Sequence, residues 1–382
     1  MKKFKSSKVQ EFKSSRKLLR SYGLMVFWAF KVFPFLLFSF SFLPCFAQKY
    51  IFLFIGDGFG VGTLTYSEIT AKEKGDTLCF SQFPVTGFIT THSENRLVTC
   101  SSAAATALAS GEKTKNGMLN VSPDKTRILT PISKTLHHKG YAVGIATSVS
   151  IDHATPAGFY ANATNRNDYY DIAKQMPVSR FEFFAGAGLL KSEPKDSVSI
   201  FTLLRESDYI VSTNISDCLS SKSFKNVLIQ PQGKDVKQFP YSIKKSKDDF
   251  TLAQITQLGI EKLSAQNKPF FFMIEGGLID WANHYNLAKE VYGEVKEFSD
   301  AIKVALAFYA QHPTETLIIV TADHETGGSA IFKKGFRYTT KEHTGNTVPV
   351  FAIGKGAEKF SGFYDNTEIM GKILWSVRES NP

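Results

Sequence analysis

The feature that most constrains this chain is an uncharged apolar run, Leu317 to Thr321, that stops at Asp323-His324-Glu325 and the pair Gly327-Gly328. A continuous apolar stretch of this kind, without the alternation of a half-exposed strand, predicts a central strand of a parallel sheet covered on both faces. Ligands in such sheets sit beyond the carboxyl ends of the strands. Asp323 and His324 therefore stand where chemistry is placed, and a carboxylate beside an imidazole is a donor set suited to zinc. By itself an Asp-His pair after a strand is more often a plain turn, so the rest of the chain has to decide.

The pattern recurs. Lys49 to Gly56 is a predicted strand that ends in Asp57-Gly58-Phe59-Gly60, whose glycines turn the backbone tightly and leave Asp57 exposed at the strand's end. The glycine spacing and the acid inside the loop fit a dinucleotide fingerprint poorly. Phe270 to Ile274 is a second predicted strand, followed by Glu275, and then by Asp280 and His284 at the four-residue spacing that puts two ligands on one helical face. A third, Tyr141 to Thr147, leads to Asp152, His153 and Thr155, with Arg166 near enough to return to the same place as a bidentate phosphate clamp. His343, in Glu342-His343-Thr344-Gly345, precedes a last apolar strand from Val348 to Ile353.

Helices are predicted between Pro131 and Gly140, over Leu252 to Leu263 and over Ala288 to Ala310. A further one is the Ala-rich stretch closed by Gly111, with Cys100, Ser101 and Ser102 at its start. Hydroxyls there either cap the helix or sit among free amides at the positive end of its dipole, where a phosphate and a developing alkoxide are stabilised. Strands alternating with helices predict an α/β fold, a three-layer α/β/α sandwich on a large, mostly parallel central sheet.

The net charge of +10 does not point to nucleic acid, because residues 1–47 hold nine basic residues and one acid, an excess of eight that leaves about +2 for the remainder. That basic start, the Phe- and Leu-rich stretch from Leu24, and the closing Cys45-Phe46-Ala47 predict a secretory signal peptide over 1–47, cleaved after Ala47, with Met25 as an alternative start. Residues 48–382 are then a single catalytic domain, with the Ser-, Lys- and Asp-rich 191–250 as a peripheral portion, and the mature chain is expected to be periplasmic or secreted, with no stable membrane association. Cys79, Cys100 and Cys218 remain, an odd number that allows one disulfide without saying which.

Asp57, Glu275, Asp280 and Asp323 would share one rim of the sheet. Burying four carboxylates together is costly unless cations compensate them, so metals are implied. With His284, His324 and His343 there are donors enough for two zinc ions, and oxygens left for a magnesium. Paired metals suit in-line displacement at phosphorus.

With these residues in place the chain resembles the alkaline phosphatase family. The matching stretches are Phe54–Gly60, Thr99–Ala107, Asp152–Pro156 with Arg166, Glu275–Asp280 with His284, Thr321–His324 and Glu342–Gly345, in the family's order and over the whole chain after the signal. The resemblance implies a phosphomonoesterase of broad specificity with two zinc ions and one magnesium. Asp280, His284 and His343 would hold one zinc and Asp57, Asp323 and His324 the other, while Asp57, Thr155 and Glu275 would hold the magnesium. Ser101 would be the nucleophile that carries a phosphoseryl intermediate, and Arg166 the clamp on the phosphate. The partners it implies are small-molecule phosphate monoesters, with a homodimer as the assembly to test.

Three departures from the family pattern stand out. Cys100 occupies the place of an Asp that orients the Arg. Ser102 replaces an Ala after the nucleophile, which makes the choice between Ser101 and Ser102 a matter of register. His153 and Trp281 are expected beside the magnesium site, where His153 as a ligand would favour zinc. A phosphodiesterase or sulfatase on the same scaffold, and an inert binding homologue, are the competing readings; Cys100-Ser101-Ser102-Ala103 lacks the Pro and Arg of a sulfatase signature.

Overall fold

A computed structural model describes residues 49–230 and 237–378 of the chain. The expected signal peptide and its cleavage point lie outside the described residues.

In chain order the strands are β1 (Tyr50–Gly56), β2 (Val85–Thr90), β3 (Ala142–Thr147), β4 (Phe183–Gly186), β5 (Ile210–Ser212), β6 (Asn226–Ile229), β7 (Phe270–Gly276) and β8 (Thr316–Ala322). Then follow β9 (Glu325–Thr326), β10 (Ala330–Phe332), β11 (Gly335–Arg337), β12 (His343–Thr344), β13 (Val348–Gly354) and β14 (Gly362–Asp365). Ten of them make one sheet in the order β14-β2-β13-β8-β1-β7-β3-β4-β6-β5. Every pairing in it is parallel except those of β13, which runs antiparallel to both β8 and β2. The sandwich is the expected one.

The uncharged runs fall in the middle of this sheet because both of its faces are covered. β3, β7 and β8 are buried at every position, and β1 at all but its first. The helices Val61–Glu73, Leu252–Ser264 and Ala288–Gln311 pack together, and the helices Ile132–His138, Ser101–Ser110, Ala154–Ala157 and Glu368–Arg378 form a second group. Aromatic rings fill the interfaces: Phe298 of the long helix meets Phe54, Phe59 and Phe80 with centroids 5.9 to 6.4 Å apart, the tilted and edge-on spacing that aromatic pairs favour. Residues 191–250 contribute β5 and β6, the last two strands on one edge. Cys79, Cys100 and Cys218 are free thiols. Among the described residues no helix is long and apolar enough to cross a membrane.

Strand register decides what gathers at the carboxyl edge. Gly56 of β1 lies level with Gly276 of β7 and with Ala322 of β8, and Glu275 lies level with Ile55 and with Thr147 of β3. Asp57 and Asp323, each one residue beyond its strand, and Glu275 at the end of the strand between β1 and β3, are therefore neighbours by construction.

Candidate active site

The carboxylates at this edge have been taken out of water. Asp57, Glu275 and Asp323 are entirely buried and Asp280 is 4% exposed. The main-chain N–H groups of Gly58 and His324 donate to Asp323 Oδ1 at 3.2 and 2.9 Å, Thr147 donates to Glu275, and Thr155 Oγ1 donates to Asp57 Oδ2 at 3.4 Å. One oxygen of each acid has no hydrogen-bond donor: Asp57 Oδ1, Glu275 Oε1 and Asp323 Oδ2. Burial, together with the neighbouring acids, lifts Asp57 well above the carboxylate range, Glu275 to about 8 and Asp323 to about 7. Asp280 goes the other way: burial alone would raise it, but its hydrogen bond with His284 and the charges of His324, His343 and His284 hold it well below the usual range.

The four-residue spacing of Asp280 and His284 works as the sequence suggested. Both lie on the helix Leu278–His284, with Asp280 Oδ2 and His284 Nε2 3.3 Å apart. His343 arrives by a route the sequence does not announce. β9 and β12 form an antiparallel ladder that sets His343 opposite Thr326, and the ring of His343 stacks on that of His324 at 3.6 Å between centroids.

The outward nitrogens of two of these histidines are already engaged. His284 Nδ1 meets the Lys341 carbonyl and His343 Nδ1 the Thr99 carbonyl at 3.0 Å. With Nδ1 donating to a carbonyl, each neutral ring turns a lone pair on Nε2 inward, and the two Nε2 atoms are 3.2 Å apart. Two lone pairs at that distance require a cation between them, either a proton or a metal. Without a metal the proton goes to His284, whose hydrogen bond to Asp280 raises it to about 9, while burial lowers His343 and sends His324 well below the usual value.

Three groups of side chains bring ligand atoms within 4.8 Å of one another: Asp280 with His284 and His343, Asp57 with Asp280 and His324, and Asp57 with His153 and Glu275. Asp323 joins the second group, its Oδ2 standing 3.2 Å from His324 Nε2. Thr155 adjoins the third through Asp57. The donors fit hard or borderline cations, and the unpartnered oxygens are what such cations would occupy.

Ser101 and Ser102 open the helix Ser101–Ser110, with Cys100 as its N-cap residue. Ser101 Oγ lies 3.3 Å from His324 Nε2, among the metal-ligand candidates. Ser102 Oγ contacts Cys100 Sγ at 3.2 Å and is closed to solvent. Burial raises the Cys100 thiol, but hydrogen bonds with Ser102, Ala103 and Gly117 outweigh it and leave Cys100 below the usual thiol range. Arg166 stands at the rim, its Nη2 3.3 Å from His153 Nε2. His153 is buried and held neutral, lowered to about 3 by burial and by Arg166, and so accepts this bond with Nε2. Its Nδ1 has no partner, and the Trp281 ring stands edge-on 6.0 Å away.

The candidate ligands, Ser101 and Arg166 thus come to one rim, whereas the Asp152 carboxylate instead accepts the main-chain N–H groups of Leu190 and Lys191. Sequence reasoning missed the residues that hold the candidate ligands at this rim. Thr326 donates to Asp280 Oδ1 at 2.5 Å and lies 3.3 Å from His324 Nδ1. Glu325 accepts from the Gly328 and Ser329 N–H groups and from Thr344, tying β9 to β12. Threonines and carbonyls of this kind leave no spacing signal; Thr326 was marked only by its closeness to His324.

The comparisons with known proteins agree with this geometry. The family model for alkaline phosphatase matches residues 48–184 and 234–336, well over half of the chain. Alkaline phosphatase 3 of Bacillus subtilis is 27% identical over an alignment of 419 positions, which spans 86% of this chain and 89% of that protein. The solved alkaline phosphatase from the Antarctic bacterium TAB5 has 34% sequence identity and a TM-score of 0.79, covering 87% of this chain and 99% of its own. A substituted form of that enzyme with Mg bound in its M3 site matches at 33% identity and a TM-score of 0.78, over 87% and 98% of the two chains.

Proposed function

The chain belongs to the alkaline phosphatase family, and from that premise we propose that it is an exported phosphomonoesterase acting through a phosphoserine at Ser101. The observation that carries this reading is the Ser101 hydroxyl at a helix N-terminus, 3.3 Å from His324 Nε2 and beside the three ligand groups. In this reading Asp280, His284 and His343 hold one zinc, and Asp57, Asp323 and His324 the other. Asp57, Thr155 and Glu275 hold a magnesium with His153 beside them, in keeping with the Mg described for the TAB5 variant.

Bound there, these ions would act as Lewis acids that favour the alkoxide of Ser101 and offset charge on the phosphoryl and leaving oxygens. The chain's own residues do the positioning. Free amides at the start of the helix Ser101–Ser110 face the incoming phosphate, and Arg166 grips two of its oxygens from the rim. Its guanidinium is oriented by a neutral imidazole acceptor, His153, where the family pattern has an acid. Ser101 Oγ forms a bond to phosphorus as the ester oxygen leaves, and water then opens the phosphoserine and frees inorganic phosphate. Ser102 is turned away from this chemistry.

Assay of the mature protein tests the reading. Phosphate should be released from p-nitrophenyl phosphate at alkaline pH, with activity lost on chelation and restored by zinc. Faster turnover of a bis-ester than of the mono-ester would replace the reading with a diesterase, and no turnover of either by the metal-loaded protein would make the chain an inert homologue.

A further inference from the structure

Ser101 starts a packed helix, whereas Arg166 sits in the irregular segment that follows Gly158, with Thr164, Asn165 and Asn167 exposed around it. Two groups that must grip one phosphate are therefore carried by unlike supports. What joins them is the loop from Thr114 to Val121, and its hydrogen bonds run to both.

On the serine side, Asn116 straddles Thr99. Its Oδ1 accepts the Cys100 main-chain N–H at 3.1 Å, and its Nδ2 donates to the Val98 carbonyl at 3.0 Å. This fixes the extended approach to the helix, Cys100 having φ −111 and ψ 163, and with it the Thr99 carbonyl that His343 Nδ1 contacts. The main-chain N–H of Asn116 is itself anchored on Asn95 Oδ1 at 2.9 Å. On the arginine side, the next residue completes the tie. The Gly117 N–H donates to Cys100 Sγ at 3.2 Å, and the Gly117 carbonyl accepts the Arg166 main-chain N–H at 2.7 Å. Leu119 and Ala163 exchange both main-chain hydrogen bonds at 2.9 Å, and Asn120 Nδ2 donates to the carbonyls of Gly158 and Ala161.

We propose that Asn116 is a positioning residue that fixes the Ser101 hydroxyl relative to the Arg166 guanidinium, by bridging Val98 and Cys100 and passing their position through Gly117 to the Arg166 main chain. This rests on the phosphomonoesterase reading, because it concerns how one phosphate meets both groups. Small misplacements of reacting groups cost large factors in rate. Since Asn116 touches no substrate, most of its effect should exist only while Arg166 is there to be positioned, with a small remainder through the Thr99 carbonyl that His343 contacts.

The test is a double-mutant cycle on the zinc-loaded mature protein with Asn116→Ala and Arg166→Ala. We expect Asn116→Ala to lower kcat/KM for p-nitrophenyl phosphate, and to weaken competitive inhibition by inorganic phosphate, about tenfold with Arg166 present. With Arg166→Ala the same change should cost less than about twofold. Asn116→Asp keeps the acceptor for Cys100 but loses the donor to Val98, so it should fall in between, and it carries the cycle if Asn116→Ala does not fold. Equal losses in both backgrounds, or none, would overturn the proposal. A wild type that turns over no ester would refute the hydrolase reading instead, and the thermal shift produced by inorganic phosphate would then serve as the readout. Asn116→Ala should remove the part of that shift that depends on Arg166, and a shift unchanged by Asn116→Ala, or absent in the wild type, would overturn the proposal.

Discussion

Two adjacent hydroxyls, on Ser101 and Ser102, differ only in which way the first helical turn points them. One faces His324 and the other is sealed against Cys100. Ser101→Ala should lower kcat by at least about a thousandfold and leave no phosphoprotein in quenched reactions, as loss of a nucleophile does. Ser102→Ala should keep kcat within about tenfold, because it alters packing beside the nucleophile and not the attack itself; intact-mass spectrometry of both variants checks the assignment. Thr326 is the second case at this scale. Thr326→Val removes the donor to Asp280 and the contact to His324 Nδ1, and should weaken zinc affinity about 10- to 100-fold in a chelator competition, the usual cost of losing a partner behind a ligand.

The titrating groups give a pH dependence with a definite sign. Glu275 at about 8, Asp323 at about 7 and His284 at about 9 all lie above their unfolded values. Between pH 6.5 and 9 the metal-free fold therefore binds more protons than the unfolded chain, and its stability is lost as pH rises. His153, His324 and His343 are shifted the opposite way, but they offset this only near pH 6.5, where the unfolded imidazoles are still partly protonated. The chelated protein should show a Tm that falls from pH 6.5 to 9, and zinc should flatten that slope by replacing the protons; a chelated Tm that rises over the window would contradict the burial of these groups.

At the scale of elements, the level ends of β1, β7 and β8 do most of the placing, and the short β9–β12 ladder does the rest. The central strands were legible because strands covered on both faces must be apolar throughout: the expected Leu317–Thr321 is Thr316–Ala322, and the expected Phe270–Ile274 runs on to Gly276. β2 carries no such run, since it alternates buried and exposed positions near the sheet's edge, and β4, β5 and β14 are too short to show a period. β9 and β12, with two residues each, were invisible for the same reason. Packing also reverses a simple propensity rule at Gly259. In an open helix, Gly→Ala would stabilise by about 1 kcal/mol. Here a Cβ would overlap the Phe272 ring and stand 3.0 Å from Phe183, so Gly259→Ala should destabilise by about 1–3 kcal/mol in denaturant unfolding, as overpacking does.

At the scale of the whole molecule, candidate ligands spread from Asp57 to His343 converge because a parallel sheet brings the carboxyl ends of distant strands to one edge. Among the candidate ligands, Asp57, Glu275, Asp323 and His324 were legible since each stands just past, or at the end of, an apolar run, and Asp280 and His284 by their four-residue spacing; His343 carries neither signal. How they share the cations was not, because Asp57 and Asp280 each belong to two of the three groups, and that depends on side-chain direction in three dimensions. The same holds for Arg166, whose partner is His153 instead of an acid at the Cys100 position. The most direct measurement is diffraction at the zinc absorption edge from crystals of the zinc-loaded mature protein. The account predicts two anomalous peaks about 4 Å apart, one against Asp280, His284 and His343 and the other against Asp57, Asp323 and His324. Full zinc content with no peak at this rim, or a single peak touching neither the His284–His343 pair nor His324, would contradict it.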